Sequence, residues 1–280
     1  MGERLEPDLA APGLAGPDLT GLSVVVTGAG SGIGAALARR FAAGGACLVL
    51  NDLDGVALAA VAQQTGALAV PGDAADDRQV ADLVGRARRH LGEIDLFCAN
   101  AGIGTGGGPE APDQDWQRCW QVNVMSHVYA ARHLLPGWLD RGRGHFLATV
   151  SAAGLLTMPG AAPYAVTKHG ALAFAEWLAV SYADRGITVQ ALCPQGVRTP
   201  LLAASGSLGR AVLEADAISA EQVAEQVVAA LGGSRFLVLP HPEVAGYYAY
   251  RAAEPDAWLA GIRRLVARAT ADPPAGPDAP

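Results

Sequence analysis

Charge is scarce in this chain. Asp, Glu, Lys and Arg make up 17% of its 280 residues, and 27 acidic side chains outnumber 20 basic ones, for a net charge of −7. With no basic stripe and a pI of about 5.3, nucleic acid is excluded as a partner. Cysteine is also scarce: Cys47, Cys98, Cys119 and Cys193 are scattered without a CxxC pair. They are expected to be buried small hydrophobes in a reducing cytosol, not a disulfide frame. The six histidines show no ligand spacing beside a carboxylate or cysteine cluster, so no metal site is expected. No apolar run is long enough to span a bilayer. The opening residues Met1 to Glu6 lack the basic and apolar regions of a signal peptide, and Glu6 stands where a myristoylation site needs Ser or Thr. These absences predict a cytoplasmic protein with no membrane partner.

Apolar material is abundant. Hydrophobic residues reach 51% and mean hydropathy is +0.23, enough for a large core and incompatible with global disorder. Gly 35 and Pro 18 fall short of a low-complexity composition. Residues 1–20 and 271–280, rich in Ala, Gly, Pro and Asp, read as flexible tails flanking one domain over 21–270. Inside it, strand-like runs alternate with Ala-rich helical segments. Strands are expected at Leu22–Thr27, Cys47–Asn51, Ala67–Pro71, Ile94–Ala99, His145–Val150, Thr188–Cys193 and Arg235–Leu239. Helices are expected at Ile33–Ala43, Val56–Gln64, Gln79–Leu91, Trp116–Leu139 (one long helix, or two joined at a break), Tyr164–Arg185 and Ala220–Leu231. Such alternation predicts an α/β fold of Rossmann type: a single doubly wound parallel sheet covered by helices on both faces.

The first strand runs into Thr27-Gly28-Ala29-Gly30-Ser31-Gly32-Ile33-Gly34, and a helix follows. Glycines there allow a tight turn and close backbone approach to a pyrophosphate, which the free N–H groups of the helix start would bind. A Gly-rich loop alone could be an ordinary loop. Its placement between strand and helix is what the phosphate-binding mechanism requires. Asp52 closes the second strand eighteen residues after Gly34, where a carboxylate can accept from both hydroxyls of an adenosine ribose and would repel a 2′-phosphate. This favours NAD over NADP. Arg39 and Arg40 argue the other way but lie deep in the first helix. Asp52 could also be a solvated turn residue.

Further along come Asn100-Ala101-Gly102 after the fourth strand, Asn123 within Val122-Asn123-Val124, Ser151 ending the fifth strand, and Tyr164-x-x-x-Lys168 thirteen residues beyond that serine. Tyr164 and Lys168 share one helix face. A free tyrosine ionises near pH 10, and a neighbouring ammonium favours the phenolate, so Lys168 is expected to lower the Tyr164 pKa and make it an acid/base. Ser151 can donate to a substrate oxygen as charge develops there. Each residue has a dull alternative: a packing aromatic, a snorkelling lysine, a strand-end cap, a mid-helix polar group. All four would have to coincide. With the glycine loop, these elements, in this order over residues 20–240, resemble the classical short-chain dehydrogenase/reductase family.

The resemblance implies a hydride transfer between NAD and an alcohol or ketone, with Tyr164 as acid/base, Lys168 as activator and ribose clamp, Ser151 as oxygen anchor, and Asn123 supporting a water-linked proton path to Lys168. It implies cofactor contacts from Gly28, Ser31, Gly32, Ile33, Gly34, Asp52, Leu53, Asp73, Ala74, Asn100, Ala101, Gly102, Tyr164, Lys168, Pro194, Val197 and Thr199. Gln195 departs from the family's glycine, which bears on local backbone shape and adds a polar group beside the substrate. Substrate contacts are expected from Ser151, Leu155, Met158, Tyr164 and Gln195, under a lid near 196–216. Its Leu and Ala content, with no basic cluster, suggests an apolar or ring-bearing substrate. The family usually pairs the helix after Tyr164 across subunits, so a homodimer or homotetramer is expected. Two rival functions keep the scaffold: reduction of an imine or activated C=C bond, and a catalytically silent NAD-binding sensor or scaffold.

Overall fold

The computed structural model describes residues 18–271; the expected tails, apart from their innermost residues, lie outside that range. Those innermost residues are not tail-like. Leu19 is buried, and Ala271 closes a long helix.

Strand β1 (Ser23–Thr27) is buried along its whole length, as a central parallel strand must be when helices cover both faces. It lies between β2 (Cys47–Asp52) and β4 (Leu96–Ala99). Outward on one side follows β3 (Leu68–Pro71); on the other come β5 (Gly144–Thr149), β6 (Ile187–Leu192) and β9 (Leu237–Val238). The order β3-β2-β1-β4-β5-β6-β9 is parallel throughout. Chain direction across the sheet reverses between β1 and β4, and ligands bind open α/β sheets in the crevice at such a point.

Side-chain alternation divides the core. Val25, Val49, Phe97 and Phe146 face α3 (Asp77–Leu91), α5 (Ser126–Arg141) and α7 (Ala162–Tyr182). Val24, Val26, Leu48, Leu96 and Leu147 face α1 (Gly32–Ala43), α2 (Gly55–Thr65) and α10 (Ala220–Leu231). Local chemistry starts these helices. The carboxylates of Asp54 and Asp76 each accept two backbone N–H bonds at the starts of α2 and α3, and Ser219 with Gln222 forms a capping box on α10.

The expected helix over Trp116–Leu139 is broken. It resolves into α4 (Asp113–Trp120), a π-helical turn at Gln121–Met125, and α5. Past β6, the short β7 (Val197–Arg198) pairs with β8 (Ile218–Ser219), and between them lie α8 (Pro200–Ala203) and α9 (Gly206–Leu213). Two C-terminal helices had no counterpart in the sequence reading: α11 (Glu243–Ala253) packs on the short α6 (Ala153–Leu156), and α12 (Pro255–Ala271) on α9. Cys47 is exposed, against expectation, because it opens its strand at the sheet's rim; the other three cysteines are buried.

Candidate active site

The loop after β1 is held from β4. The Thr27 hydroxyl accepts from the N–H groups of Asn100 and Ala101, both at 3.0 Å, and the Asn100 amide donates to Thr27 O at 2.9 Å and to Gly28 O at 3.3 Å. Asn100 therefore shapes the loop through its side chain. Gly34 must lack a side chain: a Cβ there would sit 2.0 Å from Gly28 O. Gly28 and Gly32 both have positive φ. At the start of α1, the Ser31 side chain makes no capping bond and no acidic residue occupies the first turn. The amides of Ser31, Gly32 and Ile33 thus lie at a helix start with no competing carboxylate, the arrangement an anionic pyrophosphate needs.

Asp52 turns toward this loop. Its Oδ2 accepts from Gly30 N–H at 2.8 Å and its Oδ1 from Asp54 N–H at 2.9 Å. Arg39 bonds Gln64 and Arg40 pairs with Glu225. The two cations that argued for a 2′-phosphate are thus engaged with other side chains. Leu53 is exposed beside Asp52. Asp73 is less free than the sequence suggested. Its Oδ2 pairs with Arg118 on α4 at 3.1 Å, a partner 45 residues away with no sequence signal, while Ala74 beside it is buried.

At the C-terminal ends of β4 and β5 the other residues meet. Ser151 lies two residues past the end of β5; its hydroxyl lies close enough to Tyr164 to favour the phenolate, points to Pro194 O at 3.5 Å and accepts from Ala153 N–H. Lys168 is buried, donates to Thr149 O at 3.0 Å, and places Nζ 5.7 Å from the Tyr164 ring centroid. Asn123, in the π-helical turn, is fully buried and reaches Ile103 and Thr167. A Cβ on Gly102 would lie 3.3 Å from both Asn123 Oδ1 and Lys168 Nζ, so that glycine leaves room for the two polar ends.

The electrostatics differ from expectation. Burial pushes the Tyr164 phenol up, opposed by the Ser151 hydroxyl, and the thiols of Cys119 and Cys193 add to the rise. Burial also brings Lys168 down to about 8. Lys168 therefore does not hold the phenol below its ordinary value: withdrawal from water outweighs the favourable Ser151 hydroxyl. At neutral pH the phenol is a proton donor beside a cation.

The apolar residues form a cover. A Cβ on Gly104 would meet Leu201 Cδ1 at 3.2 Å and Tyr164 Cδ2 at 3.9 Å; one on Gly160 would meet Leu208 Cδ2 at 3.0 Å; one on Gly209 would meet Met158 Cε at 3.9 Å. Leu155, by contrast, is buried in the core cluster with its backbone oxygen bonded by Arg251. Thr157 is the only non-glycine with positive φ among the described residues, and it turns the chain between those two. Gln195 has no positive φ, so its replacement of a glycine leaves the backbone unstrained. Pro194 and Val197 are buried, and Thr199 caps α8. No group of three or more His, Cys, Asp or Glu among the described residues could hold a metal.

Residues 23–207 match the family model for the short chain dehydrogenases. The chain is 39% identical over 234 residues to a 1-deoxy-11-beta-hydroxypentalenate dehydrogenase of Streptomyces exfoliatus, covering 79% of this chain and 83% of that one. It is 33% identical over 191 residues to 3beta-hydroxysteroid dehydrogenase 2 of Eggerthella lenta, covering 65% and 74%. A crystal structure of a short chain dehydrogenase/reductase from Burkholderia phymatum in complex with NAD superposes with a TM-score of 0.78 at 28% identity, covering 85% of this chain and 95% of that one. A glycine loop and a buried Lys168 beside the Tyr164 ring on this sheet thus accompany a family match over most of the chain: the protein belongs to the short chain dehydrogenases and is an oxidoreductase of that family.

Proposed function

We propose that this chain transfers hydride reversibly between NAD(H) and a secondary alcohol or ketone, and that its substrate is apolar and ring-bearing. The observation that carries the reading is the convergence on Tyr164 of the Ser151 hydroxyl, which favours its phenolate, and of Lys168, whose Nζ lies 5.7 Å from the ring centroid. NAD would supply the hydride acceptor, and NADH the donor. The amides of Ser31, Gly32 and Ile33 would hold its pyrophosphate, Asp52 and Leu53 its adenosine ribose, Asp73 and Ala74 its adenine, and Pro194, Val197 and Thr199 its carboxamide. Arg39 and Arg40 being engaged elsewhere supports NAD over NADP.

In the reducing direction, Tyr164 gives its phenolic proton to the carbonyl oxygen as negative charge develops there. Ser151 donates a hydrogen bond to the same oxygen. The Lys168 ammonium then stabilises the phenolate that remains, and Asn123 keeps the loop carrying Ile103 against the helix that carries Lys168. In the oxidising direction the same phenolate takes the alcohol proton, so oxidation rises with pH.

Leu201, Leu208 and Met158 support an apolar substrate, with residues 196–216 acting as the lid. Two relatives are named for a hydroxypentalenate and a hydroxysteroid, the latter a fused-ring alcohol. Exposed Trp177, Val180 and Val166 along α7, with Trp120 on α4, support a homodimer or homotetramer formed through that face. Four free thiols support a cytoplasmic location.

The test is an NADH oxidation assay with trans-1-decalone, a 3-ketosteroid and xylose, run on wild type and Tyr164→Phe. Turnover of a cyclic ketone by wild type is expected. Its loss in the variant by at least about a thousandfold, with NADH affinity within about threefold, would identify the proton donor. NADH oxidation with imines or enones alone would replace the alcohol–ketone reading. NADH binding without turnover of any of these would favour a sensor or scaffold.

A further inference from the structure

Pro194-Gln195-Gly196 carries the acceptor of Ser151, yet it lies beyond the last residue of β6 and outside the main sheet. Backbone bonds fix it at three places. Cys193 N–H donates to Val238 O at 2.9 Å, Ala152 N–H to Pro194 O at 2.8 Å, and Ile218 N–H to Gly196 O at 3.1 Å. The amide of Gln195 donates instead to a side chain: Nδ1 of His241, at 3.2 Å. His241 follows β9 by three residues, is 3% exposed, and anchors the first turn of α11 by accepting from Val244 N–H through its backbone oxygen.

We propose that His241 is a positioning residue of the active site, fixing Gln195 and, through it, the turn that orients Ser151 and leads to Val197 and Thr199. An amide donor demands a lone pair on Nδ1, so the neutral ring carries its proton on Nε2. That nitrogen is buried and has no hydrogen-bond partner among the described residues. An aliphatic side chain would fill the space without stranding a buried polar atom, so packing alone does not explain a histidine here. What an aliphatic residue lacks is the acceptor at Nδ1. The arrangement also accounts for Gln195 itself: its amide is held by an imidazole at ordinary φ, and no glycine is needed to shape the turn. The consequence for catalysis, though not the contact, rests on the redox reading above.

The test compares His241→Leu, which removes the acceptor, with His241→Asn, whose Oδ1 stands where Nδ1 stood, and His241→Gln, whose amide oxygen stands near the Nε2 position instead. Amide hydrogen exchange in the protein without nucleotide reads the turn directly. NADH fluorescence titration reads its consequence. In His241→Leu, exchange in the peptide covering residues 193–199 is expected to rise about tenfold or more, with NADH affinity falling by a similar factor. His241→Asn should restore both to within about threefold of wild type, and His241→Gln should not. If His241→Leu does not fold, the Asn and Gln variants decide. Wild-type exchange in the Leu variant, or equal losses in Asn and Gln, would overturn the proposal. If the turn responds as expected but wild type binds no NADH, the positioning contact stands and the redox reading fails.

Discussion

Asn123 holds Ile103 by both of that residue's backbone polar groups, accepting its N–H at Oδ1 and donating to its carbonyl from Nδ2, each at 2.9 Å. The second Nδ2 proton goes to Thr167 Oγ1 at 3.0 Å, one residue from Lys168. Both donors of the amide are spent, so its orientation is fixed. One side chain thus ties the loop after β4 to the helix carrying Tyr164 and Lys168. Asn123→Ala would strip Ile103 of both bonds, with an expected loss of about 2–3 kcal/mol of stability from unsatisfied groups. Denaturant unfolding measures this, and turnover should drop more steeply than NADH affinity.

A methyl group at position 34 would overlap Gly28 O at 2.0 Å, a clash with backbone that no rotamer relieves. Gly34→Ala should therefore weaken NADH binding by about a hundredfold or more. Gly30→Ala makes a graded comparison, because its Cβ would meet the Asp52 carboxylate at 3.0 Å and the Ala57 Cβ at 3.1 Å, side-chain contacts far looser than the backbone overlap at Gly34. A smaller loss is expected there, and fluorescence titration of the two variants ranks them.

Two buried histidines give stability a defined pH dependence. Burial, reinforced by Lys168, brings His127 down from 6.5 to about 3, and burial brings His145 to about 4 despite its bond to Gln190. Both are depressed, so below 6.5 the unfolded chain binds protons that the native chain refuses. The stability is intact above 6.5 and falls as pH drops toward 4, by about 1.4 kcal/mol per pH unit for each ring. Urea midpoints at pH 7.0 and 5.0 should show this, and His127→Phe should lessen the slope.

Asp52 accepts from the Gly30 amide and faces no free arginine among the two nearest in sequence, Arg39 and Arg40. If NAD is the cofactor as proposed, Asp52→Ala should reduce the ratio of NADH to NADPH affinity by about tenfold or more, chiefly through weaker NADH binding. Parallel titrations with the two nucleotides provide the check.

What could be read from the sequence follows from what each element needs. Parallel strands must be apolar on both faces, so Val24-Val25-Val26 and Phe97-Cys98-Ala99 announce themselves. Tyr164 and Lys168 stand out because helical spacing brings them together locally. The missed parts lack such marks. The π-helical turn is an altered bonding pattern among ordinary helix formers. Helices α11 and α12 are the exception: Val244, Tyr247 and Tyr248 on one and Trp258, Ile262 and Leu265 on the other do stand at helical spacing, but only Val244 is buried, so each stripe is a weak mark of packing. Arg118 with Asp73 and His241 with Gln195 are 45 and 46 residues apart, beyond any local pattern. The direction of the Tyr164 shift also escaped, because spacing reveals a neighbouring ammonium but not how far both groups are withdrawn from water.

Thr199 stands over the glycine loop: a Cβ on Gly32 would come within 3.2 Å of its methyl, and its hydroxyl caps the helix that carries Leu201. Whatever settles at the Gly32 amide would therefore lie beside the residue that caps the first helix of the hydrophobic cover. A dinucleotide held there would form part of the wall against which the alcohol binds. The kinetic signature would be compulsory-order binding, dinucleotide ahead of alcohol, visible as competitive product inhibition between NADH and NAD alone.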